Sequence, residues 1–326
     1  MSELLISARG LTKRYGDFEA VAGIDFAVAK GESFGLLGPN GAGKSTTMRI
    51  LSATSQRSSG ELSILGLDPE KRGPQVRAHL GVVPQQDNLD TELTVSENLY
   101  VYGRYFGLDK KYILSKVDEL LSFAQLEDKR DVKVDALSGG MKRRLTIARA
   151  LISEPDILML DEPTTGLDPR GRQDMWGVIK GLVAGGTTLL LTTQYLEEAD
   201  QLADEIVVVD HGKVIARGTS DNLKRQVGGE RLEVVVELQD LAKTQAIVAG
   251  VASGKVTVEE DLGRVSAPVS TGSRALIDAA LKLDEITIHP LDIGLKRPSL
   301  DDVFISLTGH AAVESEPEVT PTKRGR

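Results

Sequence analysis

Hydrophobic positions follow two different periodicities along the chain. Short runs that are apolar at nearly every position are typical of strands buried on both faces of a parallel sheet, whereas apolar residues spaced three to four positions apart indicate helices. The two patterns alternate through the first two-thirds of the chain, which predicts an α/β domain with a mostly parallel sheet covered on both sides. Its predicted strands are 4–11, 23–29, 33–37, 62–65, 80–83, 157–160, 187–193, 206–210 and 213–216.

Helical spacing dominates the middle of this domain. Apolar residues recur every three to four positions over 94–126, and a further helix precedes Ile152. We therefore predict a helical insert over about 88–152, which separates the strands on either side of it, and a later helix at 169–183.

The pattern changes at the segment Gln226-Val227-Gly228-Gly229, which we interpret as a boundary. Beyond it the order is β-α-β-β-α-β, the ferredoxin-like pattern, with elements at 231–238, 241–250, 256–259, 264–267, 273–283 and 285–293. A last helix begins at Leu300. We predict domains over 1–227 and 228–309, and a polar, disordered tail over 310–326.

Composition narrows the class of protein. The chain has 326 residues, enough for two domains, with a net charge of −9 and no cysteine. No apolar run approaches the roughly 18 residues of a membrane span, and the charged N-terminus does not resemble a signal peptide, so we expect a cytoplasmic protein without a transmembrane segment of its own. An acidic chain is a poor generic binder of nucleic acid. The four histidines lack metal-ligand spacing, and no metal other than nucleotide-bound Mg²⁺ is expected.

One segment carries a specific phosphate-binding pattern. Residues 38–46 read GPNGAGKST and fit G-x-x-x-x-G-K-[ST], between a predicted buried strand and a predicted helix. Glycines let backbone N–H groups turn towards phosphate oxygens, and the helix N-terminus adds positive potential. Lys44 then contacts the β- and γ-phosphates and the Ser45 hydroxyl binds Mg²⁺. The alternative, a glycine-rich turn that fits by accident, is disfavoured by the flanking strand and helix.

A second segment supplies carboxylates. The apolar run 157–160 ends in Asp161 and Glu162, which we assign to Mg²⁺ binding and to general-base activation of water. A lone Asp-Glu pair is more often a solvated turn, but the buried strand places this pair at the edge of the sheet. Tyr15, in a turn predicted over 13–17, has two interpretations: stacking on a nucleotide base, or simple packing.

The motifs together resemble those of the ATP-binding-cassette ATPases. Their order is Tyr15, GPNGAGKST, Gln85, LSGGM (137–141), ILMLDEP (157–163) and GLD (166–168), and the LSGG core separates this family from other phosphate-loop enzymes. The segments SGGMKRRL, DEPTTGLDPR, TTQYLEEADQLAD and RPSLDDVF are similar to daunorubicin-resistance-type ATPase subunits of bacterial drug and lipid exporters. The resemblance implies an ABC nucleotide-binding domain, with an antiparallel β subdomain and a helical insert, followed by a small α+β domain.

The resemblance also implies roles for individual residues. Tyr15 stacks on adenine, and Gln85 reaches Mg²⁺ or the attacking water while its loop faces a membrane partner. Ser138, Gly139 and Gly140 bind the γ-phosphate of ATP held by a second copy, and Asp168 crosses that dimer interface. The expected catalytic residues are Glu162, Gln194 and Gln85, and the expected Mg²⁺ ligands are Ser45, Gln85 and Asp161. The expected ATP contacts are Tyr15, Gly38, Pro39, Asn40, Gly41, Ala42, Gly43, Lys44, Ser45, Thr46, Ser138, Gly139, Gly140 and Asp168.

Two positions depart from the pattern of most cassettes. Met141 stands where many have glutamine, which is a mild change because phosphate contacts come from Ser138 and the backbone. Gln194 stands where most have histidine, and a glutamine amide can donate a hydrogen bond to phosphate but cannot become cationic. The basic run 142–144 resembles a nucleic-acid patch, but the acidic chain offers no aromatic platform beside it, which favours a solvated or interface face.

The function implied is that of the ATP-hydrolysing subunit of a bacterial exporter for drugs, antibiotics or lipids, peripheral on the inner face of the cell membrane. ATP-driven closure of a homodimer would power separate membrane-spanning permease subunits. Two alternatives stay open: a soluble cassette ATPase acting on nucleic acid or the ribosome, and a nucleotide-gated binding module with negligible turnover. The second domain shows no catalytic constellation, and we expect it to serve in dimerisation or regulation.

Overall fold

The computed structural model describes residues 3–226, 230–296 and 299–308, which divide into two compact units at Thr219. The domain limits predicted at 227 and 309 fall on residues outside those ranges and stay predictions. The disordered tail predicted over 310–326 also lies outside the described residues. None of the helices within these ranges is long and apolar enough to span a membrane.

The first unit alternates strands and helices as the sequence predicts. Its strands are β1 (Leu4–Tyr15), β2 (Phe18–Ala29), β3 (Ser33–Leu37), β4 (Ser59–Ile64), β5 (Leu80–Val83), β6 (Ile157–Asp161), β7 (Thr188–Thr193), β8 (Glu205–Asp210) and β9 (Lys213–Gly218). Its helices are α1 (Lys44–Leu51), α2 (Gly73–Ala78), α3 (Val95–Tyr105), α4 (Lys110–Phe123), α5 (Gly139–Leu151), α6 (Pro169–Ala184) and α7 (Leu196–Leu202).

A six-stranded sheet forms the centre of this unit, in the order β5-β6-β7-β3-β8-β9. All neighbouring strands are parallel except β8 and β9, which form an antiparallel hairpin at one edge. Every residue of β3 and β7 is buried, as expected for strands covered on both faces. The predicted α/β class with a mostly parallel sheet is therefore confirmed.

A separate three-stranded antiparallel sheet, in the order β2-β1-β4, accounts for the first part of the chain. The turn predicted over 13–17 is wrong in extent, because β1 continues to Tyr15 and only Gly16 and Asp17 turn the chain. Register shifts in the pairing of β1 with β2 coincide with Gly10 and Gly23, whose backbones have φ of +54° and +82°. Such bulges let both strands run longer than their apolar pattern indicates.

The predicted helical insert is present as α3, α4 and α5. Thr94 caps α3 through a capping box with Glu97, in which each side chain accepts a hydrogen bond from the backbone of the other residue. The three helices share an apolar cluster, and its fully buried members include Val95, Leu99, Ile113, Leu145 and Ile152. This cluster is separate from the cores that cover the central sheet.

The second unit contains the predicted β-α-β-β-α-β order. Its elements are α8 (Ser220–Gln226), β10 (Arg231–Val235), α9 (Leu241–Ala249), β11 (Thr257–Glu259), β12 (Arg264–Pro268), α10 (Ser273–Glu285), β13 (Asp292–Lys296) and α11 (Leu300–Thr308). The sheet is antiparallel throughout, in the order β11-β12-β10-β13. Two inner strands flanked by two outer ones, crossed by α9 and α10, give the split arrangement of the ferredoxin-like pattern.

The bounds predicted for the last strand of this unit are wrong. Residues 285–293 look like a strand because Ile286 and Ile288 alternate with polar residues, yet α10 runs to Glu285 and β13 begins at Asp292. Thr287 has φ of +60°, and Pro290 lacks a backbone N–H, so neither suits a strand. Ile288 is buried because it anchors this connection in the apolar core of the unit.

Candidate active site

Adjacent parallel strands bring the predicted site residues to one edge of the central sheet. The phosphate loop follows β3, Asp161 ends β6, Gln85 lies two residues beyond β5, and Gln194 follows β7 directly. Because the carboxyl ends of parallel strands meet at the same edge, ligands of open α/β sheets bind there. The chain topology thus gathers residues that are distant in sequence.

Two glycines of the phosphate loop fit where a larger residue would not. A Cβ on Gly38 would lie 2.2 Å from the carbonyl oxygen of Val209, and one on Gly43 would lie 2.3 Å from that of Ala20. Gly43 also has φ of +102°, a backbone conformation that favours glycine. The loop is therefore packed against the backbone of two neighbouring strands, which fixes the position from which α1 begins at Lys44.

Lys44 is buried, with its side chain 4% exposed. Its Nζ donates hydrogen bonds to the carbonyl oxygens of Gly38 (2.7 Å) and Pro39 (3.0 Å). The same Nζ lies 3.3 Å from Oε1 of Glu162. Burial lowers the pKa of Lys44, and the neighbouring carboxylates of Glu162 and Asp161 oppose that shift. Two backbone carbonyl oxygens and one carboxylate therefore hold the ammonium group of Lys44 at the phosphate loop.

Three side chains hold the carboxylate of Glu162, which directly follows β6. Its Oε1 contacts Nζ of Lys44, and its Oε2 accepts hydrogen bonds from Nε2 of Gln85 (2.9 Å) and from the hydroxyl of Thr165 (3.1 Å). Its backbone N–H donates to the carbonyl oxygen of Thr192 at 3.0 Å. Its φ of +47° lies in the left-handed region, which turns the chain sharply at the end of β6. Thr165 and Thr192 are partners that the sequence does not reveal.

Asp161 lies beside the first residues of α1. Its Oδ1 accepts hydrogen bonds from the hydroxyl of Ser45, at 3.3 Å, and from that of Thr192. A carboxylate and a hydroxyl side by side are the hard oxygen donors that Mg²⁺ prefers. Within the described ranges no three His, Cys, Asp or Glu side chains cluster to hold a metal ion by themselves. The donors therefore fit an ion that takes its remaining ligands from phosphate and water.

One cavity, of about 220 Å³, joins the phosphate loop to Glu162 and Gln85. It is lined by Phe18, Ala20, Asn40, Gly41, Gly43, Lys44, Ser45, Thr46, Gln85 and Glu162. Tyr15, predicted to stack on adenine, is not part of this lining. It is 48% exposed, and Nζ of Lys13 lies 5.0 Å from its ring centroid. Its cross-strand partner Phe18 lines the cavity instead.

This cavity is not lined by the predicted residues Ser138, Gly139, Gly140, Asp168 and Gln194. Ser138 caps α5, its hydroxyl accepting from the backbone N–H of Met141 at 3.3 Å, and that helix begins with the exposed Gly139 and the half-buried Gly140. Asp168 caps α6 by accepting from the N–H of Gly171 at 2.8 Å. Such an arrangement is required if these residues contact a nucleotide on a second copy, and that role stays a prediction. Gln194 is half-buried at the carboxyl end of β7.

Arg143 is a site residue that the sequence interpretation missed. The solvated or interface face expected for 142–144 is wrong for this residue, because its side chain is buried. Its guanidinium donates to five carbonyl oxygens, in the loop after β5 and in the segment after β6, namely those of Pro84, Gln85, Asp161, Glu162 and Pro163. Burial lowers its pKa, which nearby carboxylates oppose. Arg143 lies four and seven positions before the buried Ile147 and Ala150, and this helical spacing is the signal in the sequence that Arg143 faces the core.

A second buried arginine of α5, Arg149, contacts the loop after β5 at a later residue. Nη1 of Arg149 donates to the carbonyl oxygen of Asn88 at 2.8 Å, and its guanidinium lies 4.7 Å from the ring centroid of Tyr102. Together, the two arginines tie the helix that begins with Gly139 to the loop that carries Gln85. One helix therefore supports both Gln85 and the backbone of Glu162.

Comparison with known proteins agrees with this geometry. The ABC transporter family model matches residues 21–165. The chain is 46% identical to the daunorubicin resistance ATP-binding protein DrrA2 of Streptomyces coeruleorubidus, over 97% of this chain and 98% of that protein. It is 43% identical to the Nod factor export ATP-binding protein I of Ralstonia nicotianae, over 94% of each chain. The resemblance seen in the motifs is therefore confirmed across nearly the whole chain.

Solved structures match the cassette. An ATP-binding subunit of an ABC transporter has a TM-score of 0.62 at 30% identity, covering 68% of this chain and 92% of that one. A dimeric post-hydrolysis structure of the cassette MJ0796, bound to ADP and phosphate, has a TM-score of 0.60 at 26% identity, covering 66% and 98%. Such cassettes bind and hydrolyse ATP with Mg²⁺, and nothing in these matches supports the nucleic-acid alternative. The chain belongs to the ATP-binding subunits of ABC transporters, in the daunorubicin-resistance-type group.

Proposed function

We propose that this chain is the ATP-hydrolysing subunit of a bacterial exporter, working as a homodimer on the cytoplasmic side of separate membrane-spanning subunits. The observation that carries the proposal is the setting of Glu162, whose carboxylate meets Lys44, Gln85 and Thr165 inside the cavity formed by the phosphate loop. A buried carboxylate at the end of a strand, next to a phosphate-binding lysine, suits a general base that activates water.

Each residue of the site has a distinct part in this proposal. Lys44 and the loop amides hold the β- and γ-phosphates, and Ser45 with Asp161 holds Mg²⁺, which supplies charge neutralisation when bound. Gln85 orients Glu162 and the attacking water. Gln194 donates a hydrogen bond towards the γ-phosphate from the adjacent strand.

The second half of the nucleotide site comes from another copy in this proposal. Ser138 and Gly139 are exposed at the start of α5, with the half-buried Gly140 next to them, and Asp168 lies at the exposed start of α6. Helix N-termini favour anions, so α5 suits contact with a γ-phosphate held by the partner. ATP then favours the closed dimer because only that state offers both phosphate-binding surfaces, and hydrolysis removes the link.

The cargo is proposed from the relatives alone. Their names refer to daunorubicin resistance and to Nod factor export, so we propose that the cargo is a drug, an antibiotic or a lipid. No cavity of this chain is assigned to it, because cargo would contact the membrane subunits.

The test is purification of the full chain from its native membrane with whatever protein accompanies it. We expect a membrane protein to co-purify and Mg²⁺-dependent ATP hydrolysis that Glu162→Gln abolishes while nucleotide binding remains. Co-purification of RNA or ribosomes without a membrane protein would refute the exporter assignment. ATP binding with negligible turnover in the intact complex would favour a nucleotide-gated module instead.

A further inference from the structure

Helix α10 presents an exposed stripe on the face turned away from the core of its unit. Its inner face is buried through Ala275, Ala279 and Leu283. The opposite face carries Arg274, Ile277, Leu281 and Asp284, all exposed. Ile277 is 54% and Leu281 59% exposed, so two neighbouring branched apolar side chains face outward. Apolar residues four apart on one helix face pack well against another helix.

The spacing of this stripe is symmetric. Its four residues lie three, four and three positions apart, so the order reads base, apolar, apolar, acid from one end and the reverse from the other. A two-fold axis that passes between Ile277 and Leu281 would place Ile277 of one copy against Leu281 of the other. The same axis would place Arg274 of each copy against Asp284 of the other, one such pair at each end. A two-fold interface requires such a self-complementary patch.

The charges of α10 run against its own dipole. Arg274 lies in the first turn, and the last turn carries the two acids Asp284 and Glu285 beside the single base Lys282, although helix N-termini favour acidic and C-termini basic side chains. Neither Arg274 nor Asp284 forms an ion pair within the part of the chain that the structure describes. In an antiparallel pair of helices each charge would instead meet the oppositely charged end of the partner, so the arrangement that is unfavourable alone becomes favourable.

We propose that α10 pairs antiparallel with α10 of a second copy of this chain, with Ile277 packed on Leu281 and Arg274 paired with Asp284. The occupant is a second copy because the stripe carries one base and one acid at equal distances from an apolar centre. A uniformly acidic or basic partner would leave one of the two charges opposed. The contact adds an interface to the homodimer of the proposed function but involves no residue of the phosphate-loop cavity, so the failure of either proposal can be told from that of the other.

Charge reversal tests the pairing directly. Sedimentation of the full chain without nucleotide, over a concentration series, is expected to show a reversible dimer. Arg274→Glu and Asp284→Arg each turn both end pairs into like charges, and we expect each to raise the dimer dissociation constant by about tenfold. An equimolar mixture of the two variants restores opposite charges at both ends, so its dimer should recover. Lys282→Glu, the same change of net charge beside the stripe, is the matched control and should have little effect.

Cysteine pairing tests the orientation. The chain has no cysteine, so Ile277→Cys and Leu281→Cys introduce the sole thiols. Mixed and oxidised, the two variants should form a heterotypic disulfide more readily than either forms a homotypic one, whereas parallel helices would favour the homotypic product. A monomeric wild-type chain at every concentration, no recovery in the charge-reversed mixture, or no heterotypic disulfide would each overturn the proposal. Unchanged thermal melting of these exposed-site variants shows that they fold.

Discussion

Substitution of Arg143 by lysine tests how the catalytic carboxylate is positioned. The guanidinium reaches five carbonyl oxygens in two segments, whereas a lysine ammonium carries its three donors on one nitrogen and cannot span both. Each hydrogen bond to a charged group contributes about 1.5–3 kcal/mol. If the equivalent of one such bond no longer holds Glu162 in place, turnover should fall by about 10- to 100-fold, since roughly 1.4 kcal/mol corresponds to tenfold.

The reduced turnover of Arg143→Lys should appear in kcat and not in nucleotide affinity, because Arg143 does not line the phosphate-loop cavity. Steady-state ATPase rates over an ATP series give kcat and KM, and a fluorescent ATP analogue gives the dissociation constant. Arg144→Lys is the matched control, since Nε of Arg144 donates to the carbonyl oxygen of Ala124 at 2.8 Å, outside the site. Wild-type kcat in Arg143→Lys, or an equal loss in Arg144→Lys, would refute the positioning role.

Four further predictions concern single residues. Glu162→Gln should lower turnover about 10²- to 10⁴-fold with ATP still bound, and unchanged single-turnover hydrolysis would remove Glu162 as general base. Gln194→His should retain ATPase activity while Gln194→Ala loses much of it, and a fully active alanine variant would contradict the role of the amide. Gly38→Ala should destabilise the fold by about 1–3 kcal/mol in chemical denaturation, because its Cβ would meet the carbonyl of Val209; Gly177→Ala, in open space on α6, should not. Burial raises the pKa of Glu198, whose Oε1 accepts a hydrogen bond from Nε1 of Trp176. The fold therefore favours the protonated carboxyl, and the folded protein loses stability as pH rises above 4.5, the ordinary pKa of this group. Glu198→Gln should therefore raise the melting temperature relative to wild type more at pH 8 than at pH 5, and a constant difference would count against the protonated carboxyl.

The core of the site was predictable because each element of it has a local signature. Lys44 and Ser45 belong to a contiguous pattern between a buried strand and a helix, and Asp161 and Glu162 end a run that is apolar on both faces. Parallel topology then places them at one edge of the sheet. None of these inferences requires knowledge of contacts between distant residues.

The contacts that hold Glu162 were not predictable in the same way. Gln85 and Thr165 reach its carboxylate from separate segments, and the sequence does not specify which side chains of a sheet edge touch. Arg143 was missed because a charged residue normally indicates solvent, and only the carbonyl oxygens around it make its burial favourable. Phe18 lines the cavity rather than Tyr15 because β1 extends two residues beyond the predicted start of the turn.

The left-handed backbone at Glu162 has a consequence for how inactive variants are interpreted. A residue with a Cβ at φ of +47° is strained by about 1–3 kcal/mol, and glycine or asparagine would relieve part of that strain. Replacing Glu162 by glycine removes that strain but also leaves the buried Lys44 without its carboxylate partner, which costs about 3–5 kcal/mol, so the variant should melt below the wild type without nucleotide. Thermal-shift screens that use such a variant to trap ATP should therefore measure each shift against the same variant without nucleotide. Glutamine keeps the backbone strain and an oxygen that can accept from Gln85 and Thr165, so it changes the intrinsic stability less.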